Sequence, residues 1–327
     1  MARVLVTGGA GYIGSTTAHV LRRHGHDVLV LDDLSRGHQH NVAGLPFYRL
    51  NTADTRAIAN LLRGEHVEAV VHLAAFISVG ESTQKPELYF ANNTAGSISL
   101  LSAMVESGVN RFVFSSTAAV YGTPETVPIT EEAPFASVSP YGDSKVMVER
   151  ILGWLDQFRG FRSIALRYFN ACGADPELGL GEEHDPETHL IPLLFRAILT
   201  GRPIMIFGED YDTPDGTCIR DYIHVTDLAE AHVLAIEHLL GGGGSDSFNV
   251  GTGEGHSVRA VIRAVEEVTG RKVPYEIGPR RDGDAAVLVA NSEKLRRALG
   301  WRPRFADLRD IVETAWAFEQ NRVRQPV

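Results

Sequence analysis

The sequence predicts a doubly wound α/β protein carrying a smaller α/β lobe, and three observations lead to that expectation. Short apolar runs alternate with amphipathic stretches through the first half of the chain. Those runs are apolar at nearly every position, as strands covered by helices on both faces must be. A glycine-rich turn stands between the first run and the first amphipathic stretch.

The elements follow in order. Residues 3–7 read as a strand, 14–24 as a helix and 27–31 as the second strand. A strand at 47–50, a helix at 54–63 and a strand at 69–73 come next, then one long helix across 86–107. Residues 111–115 are a strand, 140–158 a helix and 163–167 a strand. After Asn170 the texture changes: residues 173–188 are rich in Gly, Pro, Asp and Glu and read as a long loop. Further helices are expected at 189–199, 226–240, 258–269 and 308–322, with short strands at 203–206, 247–250 and 273–277. Residues 241–244 are a glycine connector with no chemistry implied. The expected division is residues 1–170 and 171–327, with some strands and helices of the second part returning to the first. The smaller lobe is expected over the carboxyl ends of the strands.

A chain of 327 residues exceeds the usual single domain, and its 44% hydrophobic content supplies a core. The formal net charge of −10, with no basic tract, argues against nucleic-acid phosphates as a partner. The apolar start at residues 4–6 is too short for a signal peptide, and the stretch at 67–79 is too short and too interrupted to span a bilayer. Neither a nucleic acid nor a membrane is therefore an expected partner. Two cysteines, Cys172 and Cys218, make no disulfide framework and fit a reducing cytoplasm. Neither has a second thiol nearby, so no metal site is expected from them.

The turn Thr7-Gly8-Gly9-Ala10-Gly11-Tyr12-Ile13-Gly14 has the spacing G-x-x-G-x-x-G. Gly8 can take the dihedrals a tight turn needs. Gly11 lets the backbone approach a pyrophosphate seated on the helix N-terminus, and Gly14 lets helix and strand pack closely. Such a turn alone also fits a plain loop. Its context selects the Rossmann reading, because Asp32 ends the second strand about 20 residues on, where a carboxylate binds an adenosine ribose. The same carboxylate repels a 2′-phosphate, which favours NAD over NADP. Arg36 nearby reads as a solvated loop residue.

Tyr141 and Lys145 lie four residues apart and share one face of a helix that opens at Pro140, with Ser139 as its candidate N-cap. An ammonium beside a phenol favours the phenolate and makes the tyrosine a usable base. By itself the pair also fits a surface helix. Here it follows a strand ending in Ser115-Ser116-Thr117, and strand carboxyl ends border the ligand crevice of an open α/β sheet. Thr117 is thus a candidate donor to a reacting oxygen.

At this point the chain resembles the extended short-chain dehydrogenases, whose members carry T-G-x-x-G-x-x-G and Y-x-x-x-K. Within them it is similar to the UDP-glucose 4-epimerases, nearly end to end. The resemblance rests on Val79-Gly80-Glu81-Ser82, Asn92-Asn93, Ser139-Pro140-Tyr141-Gly142, Arg167-Tyr168-Phe169-Asn170 and one long block running from Ile206 to Val225. It implies bound NAD that is not consumed, Tyr141 as the base at the sugar 4-hydroxyl, and a 4-keto sugar that turns over in the site. It implies that residues 1–170 hold NAD and that 171–327 hold mainly the UDP-sugar. It further implies cofactor contacts at Tyr12, Ile13, Asn51, Thr52, Leu73, Ala74, Ala75, Asn92, Ser115, Tyr168 and Phe169. Phe169 also lies beside the sugar, while Asn170, His189, Leu190, Arg220, Tyr222, Arg281 and Asp284 are the implied substrate positions. Arg220 and Arg281 suit a diphosphate, since guanidinium pairs with its oxygens in bidentate fashion. A surface salt bridge is the plain alternative for either. The helices near 86–107 and 140–158 resemble those that pair across a two-fold axis in the family, which implies a homodimer.

Departures from the family pattern bear on substrate. Ile77 stands where some members carry a phosphate-reaching lysine, and Asn51-Thr52 replaces the usual acidic-apolar pair beside adenine. Leu288 is intermediate in bulk between the tyrosine of glucose-restricted members and the small residue of those that accept N-acetylated sugars. The expectation is UDP-glucose and UDP-galactose, with UDP-N-acetylglucosamine left open. Dehydratases and decarboxylases need a second acid after Thr117, where this chain has Ala118-Ala119. A UDP-glucuronate 4-epimerase is the nearest alternative; its substrate carboxylate needs donors that Ala118 and Ala119 lack, though a loop arginine such as Arg196 could supply one. A protein that merely senses NAD or a nucleotide sugar has no need of an intact Tyr141/Lys145 pair.

Overall fold

A computed structural model describes residues 1–281 and 283–324. Its first half runs β1 (Arg3–Thr7), α1 (Tyr12–Arg23), β2 (Asp27–Asp32), β3 (Phe47–Arg49), α2 (Thr55–Gly64), β4 (Ala69–His72), α3 (Val79–Gln84), α4 (Pro86–Tyr89), α5 (Gly96–Ser107), β5 (Arg111–Ser115), α6 (Pro140–Arg159) and β6 (Arg162–Tyr168). The second half continues with β7 (Asn170–Cys172), α7 (Leu190–Thr200), β8 (Ile204–Phe207), β9 (Ile219–His224), α8 (Val225–Leu240), β10 (Asp246–Val250), β11 (Gly255–Ser257), α9 (Val258–Thr269), β12 (Tyr275–Gly278), β13 (Val287–Leu288), α10 (Glu293–Leu299) and α11 (Leu308–Arg324).

Seven parallel strands form the main sheet in the order β10-β6-β5-β4-β1-β2-β3. The doubly wound parallel expectation therefore holds. Successive residues of each strand feed opposite layers, as the two-residue side-chain period requires. Val4, Val6, Val28 and Val30 pack with α1 and α8 on one face. Leu5, Leu29, Leu31 and Phe112 pack with α2, α5 and α6 on the other. From β1 the chain first moves outward through β2 and β3, then restarts at β4 and runs the other way. The order reverses between β1 and β4, and the crevice at their carboxyl ends is where such folds take ligands.

Caps fix the helix starts. The Asp54 carboxylate accepts from Ala57 N at 3.0 Å, and the Ser139 hydroxyl accepts from Gly142 N at 3.2 Å, with Pro140 in the first turn. Helices α5 and α6 end on Gly108 and Gly160 in the left-handed conformation.

The long helix expected over 86–107 is not continuous. It is divided into α4, a π-helical stretch at Phe90–Ala95, and α5. The wider turn coincides with Asn93, whose side chain leaves the helix surface to bond the backbone of Phe76 in both directions, at 2.9 and 3.0 Å. Helices α3 and α10 and strands β7, β9, β11 and β13 were not expected from the sequence.

Strand β9 pairs with β7, β11 and β13, while β8 pairs with β12. Helices α7, α9 and α11 cover this second layer through a cluster that includes Phe195, Val261 and Val312. Strand β10 and helix α8 lie with the main sheet instead. The fully buried Trp301 donates to Asp227 O at 2.9 Å, and the Asp227 carboxylate accepts from the backbone of Arg304 and Phe305. These bonds tie the segment before α11 to α8.

Candidate active site

The crevice begins at the turn after β1. Gly8 has φ +69°, and a Cβ there would lie 2.4 Å from Ala74 N. A Cβ on Gly14 would lie 2.1 Å from Gly8 O. Both positions require glycine, one for conformation and for close approach to the segment after β4, the other for approach of α1 to its own turn. Gly11 is the N-cap of α1 and contributes no side-chain cap. The free N–H groups of a twelve-residue helix therefore face the crevice, which suits a pyrophosphate. Tyr12 and Ile13 begin that helix.

Asp32 is 7% exposed and accepts from Ala10 N at 3.0 Å and Leu34 N at 2.8 Å. Burial raises its pKa, and the two backbone bonds oppose the rise. Ionised, the carboxylate has lone pairs left for a further donor. Leu73, Ala74 and Ala75 follow β4 directly across from Gly8, with Leu73 N donating to Thr7 O at 2.9 Å. These residues form a cradle that a dinucleotide fits.

Other expected positions are placed differently. The Asn51 amide donates to Asp33 Oδ2 at 2.7 Å, and its oxygen accepts from Ala53 N. Thr52 is buried against Gly96. Asn92 donates to Asn93, and it is Asn93 that bridges Phe76 to Ser144 of α6. Arg36 is more engaged than a solvated residue: it reaches Glu81 at 3.4 Å and lies 5.5 Å from the Phe76 ring.

The carboxyl ends of β5 and β6 bring the second group together. Ser115 and the Tyr168 hydroxyl are 2.5 Å apart, and Lys145 donates to Ser115 O at 2.9 Å. Thr117 accepts from Ala119 N at 3.2 Å, which leaves its hydroxyl proton to donate. Tyr141 and Lys145 are both buried, one turn apart on α6. Burial raises the Tyr141 phenol, with the neighbouring Thr117 hydroxyl opposing. Burial pushes the Lys145 amine down to about 7, and Glu149 opposes that shift. A phenol, an amine and a hydroxyl at one strand end can exchange a proton with a bound alcohol or ketone.

The sequence reading missed what holds this group. Glu149 lies one more turn along the same helix face, at the spacing that already links 141 to 145. Its carboxylate takes Arg167 in bidentate fashion, at 3.0 Å on Oε1 and 2.6 Å on Oε2, and accepts from Ser116 at 2.5 Å. Arg167 also donates to Tyr121, whose hydroxyl donates to Asn249 at 2.7 Å.

A third group lies on the smaller sheet. Asn170 and Tyr222 are register partners on β7 and β9, and Arg220 is the register partner of Leu288 on β13. Arg220 pairs with Asp284 at 2.7 Å. Arg281 stacks over Phe207 at 3.9 Å and shares a turn with Asp284. Phe169 and Leu288 pack in one cluster with Ala118 and Ala290, so the smaller sheet meets the β5 strand end there. His189 caps α7 immediately before Leu190, but its ring turns towards Glu182.

Comparisons with known proteins agree with this geometry. Residues 4–251 match the NAD dependent epimerase/dehydratase family. A UDP-glucose 4-epimerase of Lactobacillus helveticus is 46% identical over 98% of this chain and 97% of its own. The crystal structure of UDP-glucose 4-epimerase from Brucella ovis in complex with NAD superposes with a TM-score of 0.94 at 43% identity, covering 97% of this chain and 98% of that one. The enzyme from Stenotrophomonas maltophila with bound NAD and formylated UDP-arabinopyranose gives 0.95 at 40% identity, over 99% of both chains. On residues matched, identity and fold, the chain belongs to the NAD dependent epimerase/dehydratase family.

Proposed function

We propose that this protein is a 4-epimerase that interconverts UDP-glucose and UDP-galactose while retaining NAD. The observation that supports the reading is that Tyr141 and Lys145 lie one turn apart on α6, with Lys145 tied to Ser115 O at the end of β5 and Thr117 beside Tyr141. Relatives and superposable structures of the same activity support it along nearly the whole chain.

When bound, oxidised NAD supplies a hydride acceptor for the sugar C4 and a positive charge beside the phenol. The chain's own residues then handle the proton and the substrate. Burial alone keeps the Tyr141 phenol protonated, so the phenolate forms only where positive charge is gathered around it. Lys145, one helical turn from Tyr141, has its amine held at Ser115 O. Tyr141 takes the 4-hydroxyl proton as C4 is oxidised and returns it after the 4-keto sugar has turned over. The Thr117 hydroxyl, whose oxygen accepts from Ala119 N, hydrogen-bonds the same oxygen and keeps its proton. The net change is inversion at C4.

A sugar that must rotate cannot supply the affinity, so the UDP must. Arg220 and Arg281 suit the diphosphate, and Asn170, Leu190, Tyr222 and Asp284 surround its course. Leu288, beside Phe169, is the position that limits sugar bulk. Ala118 and Ala119 offer no donor for a glucuronate carboxylate and no acid for dehydration. A homodimer is supported by apolar residues left exposed on the two helices concerned: Ile98 and Val105 on α5, Met147, Trp154 and Phe158 on α6. No described helix is long and apolar enough to cross a membrane, and the few cysteines suit a cytoplasmic setting.

The reading is tested by incubating purified protein with UDP-galactose and no added NAD. UDP-glucose should accumulate to a fixed ratio. Absence of conversion by protein that carries bound NAD contradicts it. A parallel panel with UDP-N-acetylglucosamine and UDP-glucuronate sets the sugar range.

A further inference from the structure

The two cysteines offer no metal site, but histidines and carboxylates gather elsewhere. Among the described residues, Glu182, His184, Glu187 and His189 each offer one ligand atom, and these atoms all lie within 4.8 Å of one another. All four belong to the segment between β7 and α7, a region with no helix or named strand of its own.

Ion pairs link the four groups, which converge on one small volume. Glu182 Oε1 faces the Nδ1 atoms of both His184 and His189. The His189 ring donates to that oxygen, and His184 Nδ1 lies 2.9 Å from it, within ion-pair range but outside hydrogen-bond geometry. Glu187 Oε1 approaches the same two nitrogens at 3.9 and 3.7 Å. A tetrahedral ion with bonds of about 2.0–2.2 Å holds its ligand atoms roughly 3.3–3.6 Å apart. Of the four N···O separations, two are shorter than that spacing and two are slightly longer, so small side-chain shifts bring all four atoms onto one centre.

We propose that Glu182, His184, Glu187 and His189 form a divalent-cation site, of the kind zinc takes, that fastens the segment between β7 and α7 over the glycine turn. Two imidazoles and two carboxylates suit zinc or a neighbouring first-row ion, whereas calcium and magnesium take all-oxygen sets. Two carboxylates balance the charge of a divalent ion. The Glu187 carboxylate is further oriented by the N–H groups of Thr188 and His189, at 2.7 and 2.8 Å.

The position gives the ion a structural task. The His184 ring meets Tyr12 edge-on at 6.2 Å, and the Tyr12 hydroxyl donates to Gly173 O at 2.6 Å. Tyr12 is the first residue of α1, directly after Gly11. Nearby, His38 and His40 contact Glu183, each at 2.9 Å. An ion at this point holds the segment against the helix whose N-terminus faces the crevice, and it also fixes the N-cap of α7.

The test uses the full-length holoprotein. After dialysis against EDTA, it is titrated with zinc in competition with a chromophoric chelator, and its thermal unfolding is followed with and without zinc. Wild type should take one zinc per chain and gain Tm on zinc addition. His184→Ala and the near-isosteric Glu187→Gln should each bind at least tenfold more weakly and lose the Tm gain, with circular dichroism showing the fold intact. Wild type that takes no zinc, or variants that keep wild-type zinc affinity, overturn the proposal.

Discussion

The Nζ of Lys145 donates to the main-chain oxygen of Ser115 at 2.9 Å, so the amine on α6 is fixed to the end of β5 and cannot follow solvent. Burial brings its pKa from 10.5 down to about 7, with Glu149 opposing. The sign of the linkage follows. Between about 7 and 10.5 the unfolded chain holds a proton on this amine that the folded chain does not. Stability from this group therefore rises with pH across that window, with a slope of up to about 1.4 kcal/mol per pH unit. Below about 7 the contribution is flat. Urea unfolding of the NAD-free protein at pH 7, 8 and 9 should show a shallower rise for Lys145→Met than for wild type. Equal slopes contradict the assignment.

Tyr141→Phe removes the proton acceptor and keeps the ring. Turnover should fall by about 10²–10⁴-fold, while UDP affinity, measured by calorimetry, stays within about threefold because no diphosphate contact is assigned to Tyr141. A variant that retains turnover removes Tyr141 from its role.

Glu149 and Arg167 are 6% and 7% exposed, so each neutralises a charge that has left water. Glu149→Gln leaves the guanidinium buried and unpaired. That costs about 3–5 kcal/mol, read as a lowered denaturation midpoint. Replacing both residues by methionine should cost less than the single change. A single variant as stable as wild type contradicts the buried pair.

Gly8→Ala forces a side chain into Ala74 and into a left-handed conformation. The purified variant should carry much less NAD, read from absorbance of the denatured supernatant. Gly25→Ala is the control, since it shares the positive φ but meets nothing within 4 Å. It should cost only about 1–2 kcal/mol and keep its NAD. Equal NAD content in both variants contradicts the cradle.

Much of this was legible in the sequence because single residue types carried it. Gly8 and Gly14 stand where only glycine fits, and Tyr141 and Lys145 keep a helical spacing that survives any tertiary context. Strand β9 was not legible. Its residues, Ile219 to His224, include a buried aspartate that reads locally as a turn or surface residue. Asp221 is satisfied instead by N–H groups of Thr252, Gly253 and Ala290, far along the chain. The break in the helix over 86–107 depends on Asn93 finding Phe76, another partner no local pattern reveals. Glu149 could have been read, because it extends the 141/145 face by one turn. Its partner Arg167 lies on a neighbouring strand, and only the fold joins them.

The central claim is that the C4 hydrogen leaves the sugar and returns to the same carbon while Tyr141 manages the hydroxyl proton. UDP-galactose deuterated at C4 tests it most directly, with the product examined by NMR and mass spectrometry. The account predicts UDP-glucose that retains the deuterium at C4, with none lost to water over many turnovers. Loss of the label to solvent, or its appearance at another carbon, would contradict it.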